Sequence, residues 1–311
     1  MRAWQFTEVG RPLTLNEVDE PEPTSDELVI SVKASGLCHS DVGFIDGTLT
    51  SLLPFRPITL GHEFAGVVTA VGSAVSHFRV GDRVGVPCAA EGPGTSKHGA
   101  FAESVLVKEH LVVSLPDVVS FEHGAAASCA GVTAYHAIVG QGNVMAGMRV
   151  GIIGLGGVGA LGAQIAVARG AEVFAAEVNE KARSRARELG VTAASDSILA
   201  FSGELDVIVD FAGFGSTTAA AIDASRRDGL VVQVGLGVEF STINAKNLTL
   251  NQIRLVGSQA GSVEDYAATV ELMGSGQVSV STSPISFEQI GEQLGALERG
   301  EANGRLTAIL D

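Results

Sequence analysis

The side chains best suited to chemistry in this sequence are cysteines, a histidine and an acid. Cys38 opens the segment Cys38-His39-Ser40-Asp41, and His62 and Glu63 follow in the segment GHEFAG. Thiolate and imidazole groups are the ligands that zinc prefers in proteins. Taken singly, Cys38 is more often a small buried hydrophobic residue, and His62 is more often a histidine satisfied by hydrogen bonds. Together with a later cysteine, however, these residues indicate a metal site.

A second group of residues indicates a dinucleotide site. From Arg149 to Glu177 the pattern predicts a buried strand, the glycine-rich turn Gly154-Leu155-Gly156-Gly157-Val158-Gly159, a helix and a second strand. These glycines allow a tight turn, close approach of a pyrophosphate and close packing of helix on strand, while the helix N-terminus faces the phosphates. Glu177 can accept hydrogen bonds from the adenosine ribose and repels a 2′-phosphate, which favours NAD over NADP. The alternative is a glycine-rich turn of a parallel sheet that binds no ligand.

The elements that must position these residues are of two kinds. Before Cys38, and again over 101–115, short apolar runs alternate with turns, which predicts a β-rich domain. After Cys129 the pattern predicts strands at 205–210, 230–234 and 253–258 that alternate with helices, which is typical of a doubly wound parallel sheet. Two amphipathic helices are predicted near the end, at 263–273 and 287–298. We therefore expect an α/β protein.

Composition narrows the function classes. A chain of 311 residues has room for two domains, and its net charge of −15 disfavours nucleic acid and anionic membranes, because both require a basic surface. No apolar run is long enough to span a membrane, and residues 1–10 lack a signal pattern, so we expect a cytoplasmic protein. The three cysteines, at 38, 88 and 129, are odd in number and widely spread, so a disulfide framework is not expected.

The sequence resembles the zinc-dependent alcohol dehydrogenases of the medium-chain dehydrogenase/reductase superfamily over essentially its whole length. The run GHEFAGVVTAVGSAV, from Gly61 to Val75, matches that family's zinc signature, which is quite specific. The segment that begins at Cys38 matches the one carrying the first zinc ligand, and the segment from Ala125 to Tyr135 matches the one carrying the third. The resemblance implies a GroES-like β-rich catalytic domain formed by 1–130 and 263–311, and a Rossmann NAD-binding domain at 131–262.

The resemblance also implies a role for the matching residues of the catalytic domain. Ser40 would accept the alcohol proton. Glu63 would be an acid beside the metal that can act as a transient ligand, and Asp41 would orient His62 through its other ring nitrogen. The ligands of one catalytic zinc ion would be Cys38, His62 and Cys129.

The reaction implied is reversible hydride transfer between an alcohol and NAD, giving an aldehyde or a ketone. Relatives pair through their cofactor domains, so we expect a homodimer, with a homotetramer as the alternative. The only other partner expected is the small-molecule substrate. The cofactor contacts implied by the resemblance are His39, Thr133, Gly154, Gly156, Gly157, Val158, Gly159, Glu177 and Arg305.

Three positions depart from the family pattern. Many relatives carry a lobe with four closely spaced cysteines after the Gly-Asp-Arg-Val turn, whereas Cys88 is the sole thiol in the short segment from Val84 to Gly99. We therefore expect no structural zinc. Many relatives also have a histidine where this chain has Gly43, so the proton must leave Ser40 by cofactor hydroxyls, water or another group. Cys88 replaces a bulky aromatic residue, which means either a wider pocket with a thiol near the metal or a small buried residue.

Two other functions stay open at this stage. A zinc-free quinone or enoyl reductase of the same architecture would need no metal ligands, and a non-enzymatic NAD-binding protein would not need Ser40 either. The joint presence of Cys38, His62 and Cys129 argues against both.

Overall fold

The computed structural model of the chain describes residues 1–301 and 304–311. These residues form two compact units. The first unit comprises Met1–Val132, Ser262–Gly274 and Val280–Asp311, and the second comprises Thr133–Gly261 and Ser275–Ser279. Among the described residues, none of the helices combines the length and the hydropathy that crossing a bilayer requires.

The strands and α-helices have the following bounds. The strands are β1 (Arg2–Phe6), β2 (Thr14–Glu17), β3 (Glu27–Gly36), β4 (Ile58–Thr59), β5 (Phe64–Val71), β6 (Arg83–Val86), β7 (Ser104–Lys108), β8 (Val113–Ser114), β9 (Arg149–Ile153), β10 (Glu172–Ala176), β11 (Ala193–Ser195), β12 (Leu205–Asp210), β13 (Ser225–Gln233), β14 (Arg254–Gly257), β15 (Thr282–Ser286) and β16 (Arg305–Ile309). The helices are α1 (His39–Asp46), α2 (Phe121–Ala126), α3 (Val132–Tyr135), α4 (Gly159–Ala168), α5 (Glu180–Ser184), α6 (Ser216–Ala224), α7 (Ala245–Leu250), α8 (Val263–Gly274) and α9 (Ile290–Glu298).

The first unit is built around the long strand β3. It lies in a mixed sheet of order β15-β16-β3-β5-β6-β8, and β7 also pairs with it. A smaller antiparallel sheet has the order β2-β1-β4. Leu28, Ile30 and Val32 alternate along β3 and are fully buried against Phe64 and Val68 of β5. Apolar and β-branched residues of this kind favour a strand, and the other face of β3 is largely buried too. The predicted β-rich architecture is confirmed.

The second unit is a six-stranded parallel sheet of order β11-β10-β9-β12-β13-β14. Val150 and Ile152 of β9 are fully buried, as expected of a central strand covered on both faces. The strand order reverses between β9 and β12, and dinucleotides bind at such a reversal, outside the carboxyl ends of the strands. The predicted doubly wound parallel sheet is therefore confirmed.

Two element boundaries differ from the sequence-based prediction. The strand predicted at 230–234 begins earlier, at Ser225, and reaches its apolar part through an irregular stretch in which Asp228 has a φ of 60°. The helix predicted from Phe287 begins at Ile290. There Ser286 and Gln289 form a capping box around a 3₁₀ turn, which takes up the first residues of the predicted helix.

Candidate functional site

Four predicted side chains come together in the first unit. One ligand atom from each of Cys38, His62, Glu63 and Cys129 lies within 4.8 Å of all the others. Two ligands of one zinc ion, each about 2.3 Å from it, are at most about 4.6 Å apart, so these spacings suit a shared ion. The chain folds to this arrangement because Cys38 immediately precedes α1, the His-Glu pair immediately precedes β5, and Cys129 lies in a π-helical turn after α2.

Asp41 holds the histidine of this cluster in place. Its Oδ1 atom lies 3.3 Å from Nδ1 of His62, and both side chains are buried. Its Oδ2 atom accepts the main-chain N–H of Cys38 at 3.0 Å, so one carboxylate contacts both ligand segments. Burial lowers the pKa of His62, but the negative charges of Asp41 and Cys88 and the hydrogen bonds with Asp41 and Cys129 together outweigh it, and the pKa is raised well above its ordinary value. With Nδ1 facing Asp41, the other ring nitrogen is the one left for a metal.

The two thiols of the cluster hold their protons tightly when no cation is near. A hydrogen bond with Cys129, and then burial, raise the pKa of Cys38 to about 12. The bond to Cys38 lowers the pKa of Cys129, but a bond with Cys88 and burial outweigh it and bring that pKa to about 11. Thiolates and a neutral imidazole in such a buried site need a cation beside them. The donor set and its burial thus fit a zinc ion.

Glu63 forms a buried ion pair. The Nη2 atom of Arg305 donates to Oε1 of Glu63, and the pair is almost fully buried. The cofactor contact of Arg305 stays a prediction. Burial raises the pKa of Glu63 to about 7 despite the positive charge of Arg305. Oε2 of Glu63 has no hydrogen-bond partner within residues 1–301 and 304–311. It packs against Gly36, where an added Cβ would lie 2.3 Å from that oxygen.

The residues that follow Cys38 lie at the edge of the cluster. The Ser40 hydroxyl is half-buried and lies 3.8 Å from Sγ of Cys38, whereas His39 is exposed at the start of α1. An added Cβ at Gly43 would lie 2.9 Å from the side chain of Leu49. The space that a histidine would need at this position is therefore already filled, which explains that departure from the family pattern in physical terms.

Cys88 adds a third sulfur next to the cluster. Its main-chain N–H donates to the carbonyl oxygen of Ser128 at 2.7 Å, and its half-buried thiol is hydrogen-bonded to that of Cys129. That bond lowers the pKa of Cys88. The structure thus favours a thiol near the metal over a residue simply buried away from it. The following loop is compact, because the hydroxyl of Thr95 donates to the carbonyl oxygens of Ala89 and Gly92.

The glycine-rich turn of the second unit has the predicted geometry. Gly154 has a φ of 85°, which favours glycine, and α4 begins at Gly159 with no side-chain cap on its N-terminal amides. An added Cβ at Gly159 would lie 1.9 Å from the carbonyl oxygen of Gly154, so only glycine packs there. An added Cβ at Gly156 would have no atom of the described residues within 4 Å, and Gly156 and Gly157 are exposed. The turn therefore presents open backbone to a ligand.

Glu177 lies at the end of β10 and contacts this turn. Its Oε2 atom accepts the N–H of Leu155 at 2.7 Å, and Oε1 accepts the N–H of Asn179 at 2.8 Å. Arg183, in α5, donates to the carbonyl oxygens of Glu177 and Val178. The carboxylate thus fixes the turn and keeps lone pairs free for a ribose.

Two further cofactor contacts, Thr133 and Val158, stay predictions. Thr133 lies half-buried in α3, and Val158 is the half-buried residue directly before α4. The sequence analysis missed three features that shape the sites. These are the pairing of Arg305 with Glu63, the glycine at position 36, and a buried hydrogen-bond network around Asp210 whose only signal in the sequence was an acid at the end of a predicted strand.

Comparison with known proteins supplies independent findings. Residues 24–117 match the family model described as alcohol dehydrogenase GroES-like domain, and residues 157–275 match the one described as zinc-binding dehydrogenase. The chain is 30% identical to an alcohol dehydrogenase of Geobacillus stearothermophilus, with 100% of each chain covered. That alignment spans 339 positions, more than the 311 residues of this chain, so the relative carries segments that this chain lacks.

Other relatives differ in the cofactor that their names state. The chain is 30% identical to the NADP-dependent alcohol dehydrogenase C of Mycobacterium bovis over 85% of each chain. It is also similar to the structure of acetophenone reductase from Geotrichum candidum in complex with NAD, with 30% identity, a TM-score of 0.88, and 99% and 97% of the two chains covered. These names alone therefore do not decide between the two cofactors.

Proposed function

The chain belongs to the zinc-type alcohol dehydrogenases of the medium-chain dehydrogenase/reductase superfamily, and from this premise we propose how it works. Its fold combines the GroES-like and Rossmann-like domains of that family, and its activity is that of an alcohol dehydrogenase, an oxidoreductase. The proposal is that it uses NAD and one zinc ion per chain to interconvert an alcohol with an aldehyde or ketone. The observation that carries it is the buried cluster of Cys38, His62 and Cys129.

The metal would be held by the two thiolates and the imidazole, with Glu63 as a further carboxylate at the site. When bound, zinc supplies Lewis acidity toward an alcohol or carbonyl oxygen. Asp41 orients His62, and Arg305 neutralises Glu63 in the buried surroundings. Burial of these groups excludes water and strengthens each electrostatic contact in the site.

Ser40 is the group proposed to accept the alcohol proton. Its hydroxyl is half-buried and lies 3.8 Å from Sγ of the ligand Cys38, so it borders the metal site. Because Leu49 fills the space beside Gly43, the proton leaves Oγ of Ser40 through water or a cofactor hydroxyl.

The glycine-rich turn and Glu177 support NAD as the cofactor. The open backbone at Gly156 and the uncapped start of α4 suit a pyrophosphate. Glu177 is held at the end of β10 by two main-chain N–H groups, and its negative charge repels a 2′-phosphate.

The second unit also supports assembly into a homodimer. Among the described residues, strand β14 lies at the edge of the sheet and pairs only with β13, and Leu255 on this strand is 40% exposed. Leu236 and Phe240, in the loop after β13, are 85% and 82% exposed. An unpaired edge with apolar residues is a surface that a second copy can cover. We expect light scattering to show a dimer, or a tetramer built from it, and Leu255→Lys to give monomers; a wild-type monomer would contradict this.

Turnover by the purified protein tests the proposal directly. A panel of primary and secondary alcohols, including 1-phenylethanol, is incubated with NAD or NADP, and reduced cofactor is followed by absorbance. The proposal predicts turnover with NAD that a zinc chelator abolishes and added zinc restores. Turnover that survives complete removal of zinc would favour a zinc-free reductase of the same superfamily. Binding of NADH without turnover of any alcohol, aldehyde or ketone would favour a non-enzymatic protein.

A further inference from the structure

Asp210 is a fully buried acid to which the proposed reaction assigns no role. It is the last residue of β12 and pairs in the sheet with Ile153, the last residue of β9. These two strands flank the point where the strand order reverses. Burying a carboxylate is costly unless hydrogen bonds satisfy it, so its partners at this point need an explanation.

The side chain of Asp210 holds together the turn that follows β12. Each carboxylate oxygen lies within hydrogen-bond distance of two donor groups, and of these four donors two lie in that turn and two in the first turn of α6. Because an ionised carboxylate only accepts, it can hold four donors at once, which no neutral side chain of this size can do. The donors to Oδ1 are the N–H groups of Ala212 (3.0 Å) and Gly213 (2.9 Å). The hydroxyl of Thr217 donates to Oδ2 at 2.8 Å, and the single proton of the Thr218 hydroxyl is shared between Oδ2 (3.0 Å) and Oε1 of Gln233 (2.8 Å).

The same network reaches the loop after β13. The main-chain oxygen of Asp210 accepts the N–H groups of Val234 and Gly235, both at 3.0 Å. The amide of Gln233 donates to the carbonyl oxygen of Gly235 at 2.7 Å. An added Cβ at Gly213 would lie 2.0 Å from that same oxygen. The two loops are therefore packed backbone against backbone.

The turn after β12 is also packed against the glycine-rich turn. The N–H of Phe211 donates to the carbonyl oxygen of Ile153 at 3.0 Å. The Phe211 ring lies against α4, where an added Cβ at Gly162 would lie 2.7 Å from it. The carboxylate of Asp210 thus holds in place the turn on one side of the point where the strand order reverses. The glycine-rich turn lies on the other side of that point.

A doubly wound sheet binds a dinucleotide across the reversal point, with one mononucleotide on each half of the sheet. Glu177, the proposed ribose ligand, ends β10 on one half, and Asp210 ends β12 on the other. We propose that Asp210 is a positioning residue that shapes the surface for the nicotinamide half of NAD. This inference rests on the proposed function above. The carboxylate acts through the turn 211–218 and the loop after β13, and does not itself contact the cofactor.

Nucleotide affinities separate positioning from a general loss of structure. Dissociation constants are measured by calorimetry for NADH and for AMP, which carries only the adenosine half. Asp210→Asn keeps the size of the side chain but loses acceptor capacity, and we expect its Kd for NADH to rise about tenfold while its Kd for AMP changes by less than about twofold. Glu177→Gln is the matched control, because it should weaken AMP and NADH alike. Bound zinc should be unchanged in both variants.

Several results would overturn the inference. It fails if Asp210→Asn weakens AMP and NADH equally, or if neither affinity changes. Should that variant not fold, Thr217→Val removes one of the four donors, and we expect an NADH-selective loss of about threefold; equal losses, or none, contradict the inference. If the wild-type protein binds NADH and AMP but the variants give one of these contradicting results, only the inference about Asp210 fails and the proposed function stands. If it binds neither, the proposed function has failed and this inference with it.

Discussion

The metal cluster and the glycine-rich turn are built in opposite ways. The cluster takes its side chains from three separate parts of the chain, before α1, before β5 and after α2, and Arg305 at the start of β16 pairs with one of them. Nearly all residues that form the turn lie in the single segment 149–177, and the turn presents backbone atoms, not side chains, to a ligand. One site therefore depends on side-chain chemistry brought together by tertiary structure, and the other on local backbone conformation.

This difference explains how each site can fail. In the cluster, buried ionisable groups are partners of one another, so the loss of one side chain leaves a buried charge or polar group without its partner. In the turn, the limiting quantity is space, because Gly156 faces open volume whereas Gly159 touches Gly154. Substitutions should thus alter zinc and NADH binding separately.

The largest expected effect is at the metal ligands. His62→Ala removes the only imidazole of the cluster, and we expect turnover to fall about 10³-fold or more together with loss of bound zinc. NADH affinity should stay within about threefold of wild type, because the turn does not depend on the cluster. Cys88→Ser is the control that should retain zinc. Parallel loss of NADH binding in His62→Ala would show that the two sites are not separable.

The buried pair of Arg305 with Glu63 should give the next largest effect. Arg305→Leu leaves the buried Glu63 without its ion-pair partner, so the free energy of unfolding of the zinc-free protein should fall by about 3 kcal/mol in urea titrations. The double variant Arg305→Leu/Glu63→Leu removes the unpaired charge and should recover most of that loss. A single variant as stable as wild type would mean that the pair does not form in solution.

Two alanine substitutions test the role of space in the glycine-rich turn. Gly156→Ala places a methyl group where no atom of residues 1–301 or 304–311 lies within 4 Å, so thermal stability should be unchanged while NADH affinity falls about tenfold. Gly159→Ala clashes with Gly154 and should lower both. Calorimetry and thermal unfolding measure the two quantities. If Gly156→Ala bound NADH normally, the pyrophosphate would not approach this backbone.

The smallest effect is expected at Glu177. Replacing it with glutamine removes the negative charge but keeps an oxygen for the N–H of Leu155, so the preference for NAD over NADP should fall about fivefold. The ratio of kcat/KM for the two cofactors measures this change. Glu180→Gln, on the exposed first turn of α5, is a matched control that should leave the ratio unaltered.

The elements that could be predicted from the sequence are those that depend on residue patterns within short segments. The glycine-rich turn, the parallel strands and α8 follow from residue spacing within short windows, and the structure has them where expected. The start of α9 was wrong by one turn, because a capping box between Ser286 and Gln289 competes with the helix. The early start of β13 passes through Asp228 in a left-handed conformation that apolar periodicity does not reveal.

The metal cluster was predictable in its residue types but not in its contacts. Motif matches named Cys38, His62 and Cys129, and the structure brings them together. The contact between Arg305 and Glu63 joins residues far apart in the chain, and no periodicity encodes it. The filling of the space beside Gly43 by Leu49 likewise depends on how α1 and the following 3₁₀ turn pack.

X-ray absorption at the zinc edge tests the central claim most directly. The purified chain should contain one zinc ion whose nearest shell has two sulfur atoms at about 2.3 Å and one imidazole nitrogen at about 2.0 Å, the remaining position being taken by oxygen. Cys129→Ser should reduce the sulfur count by one. Protein without zinc, or zinc surrounded by nitrogen and oxygen alone, would contradict the account.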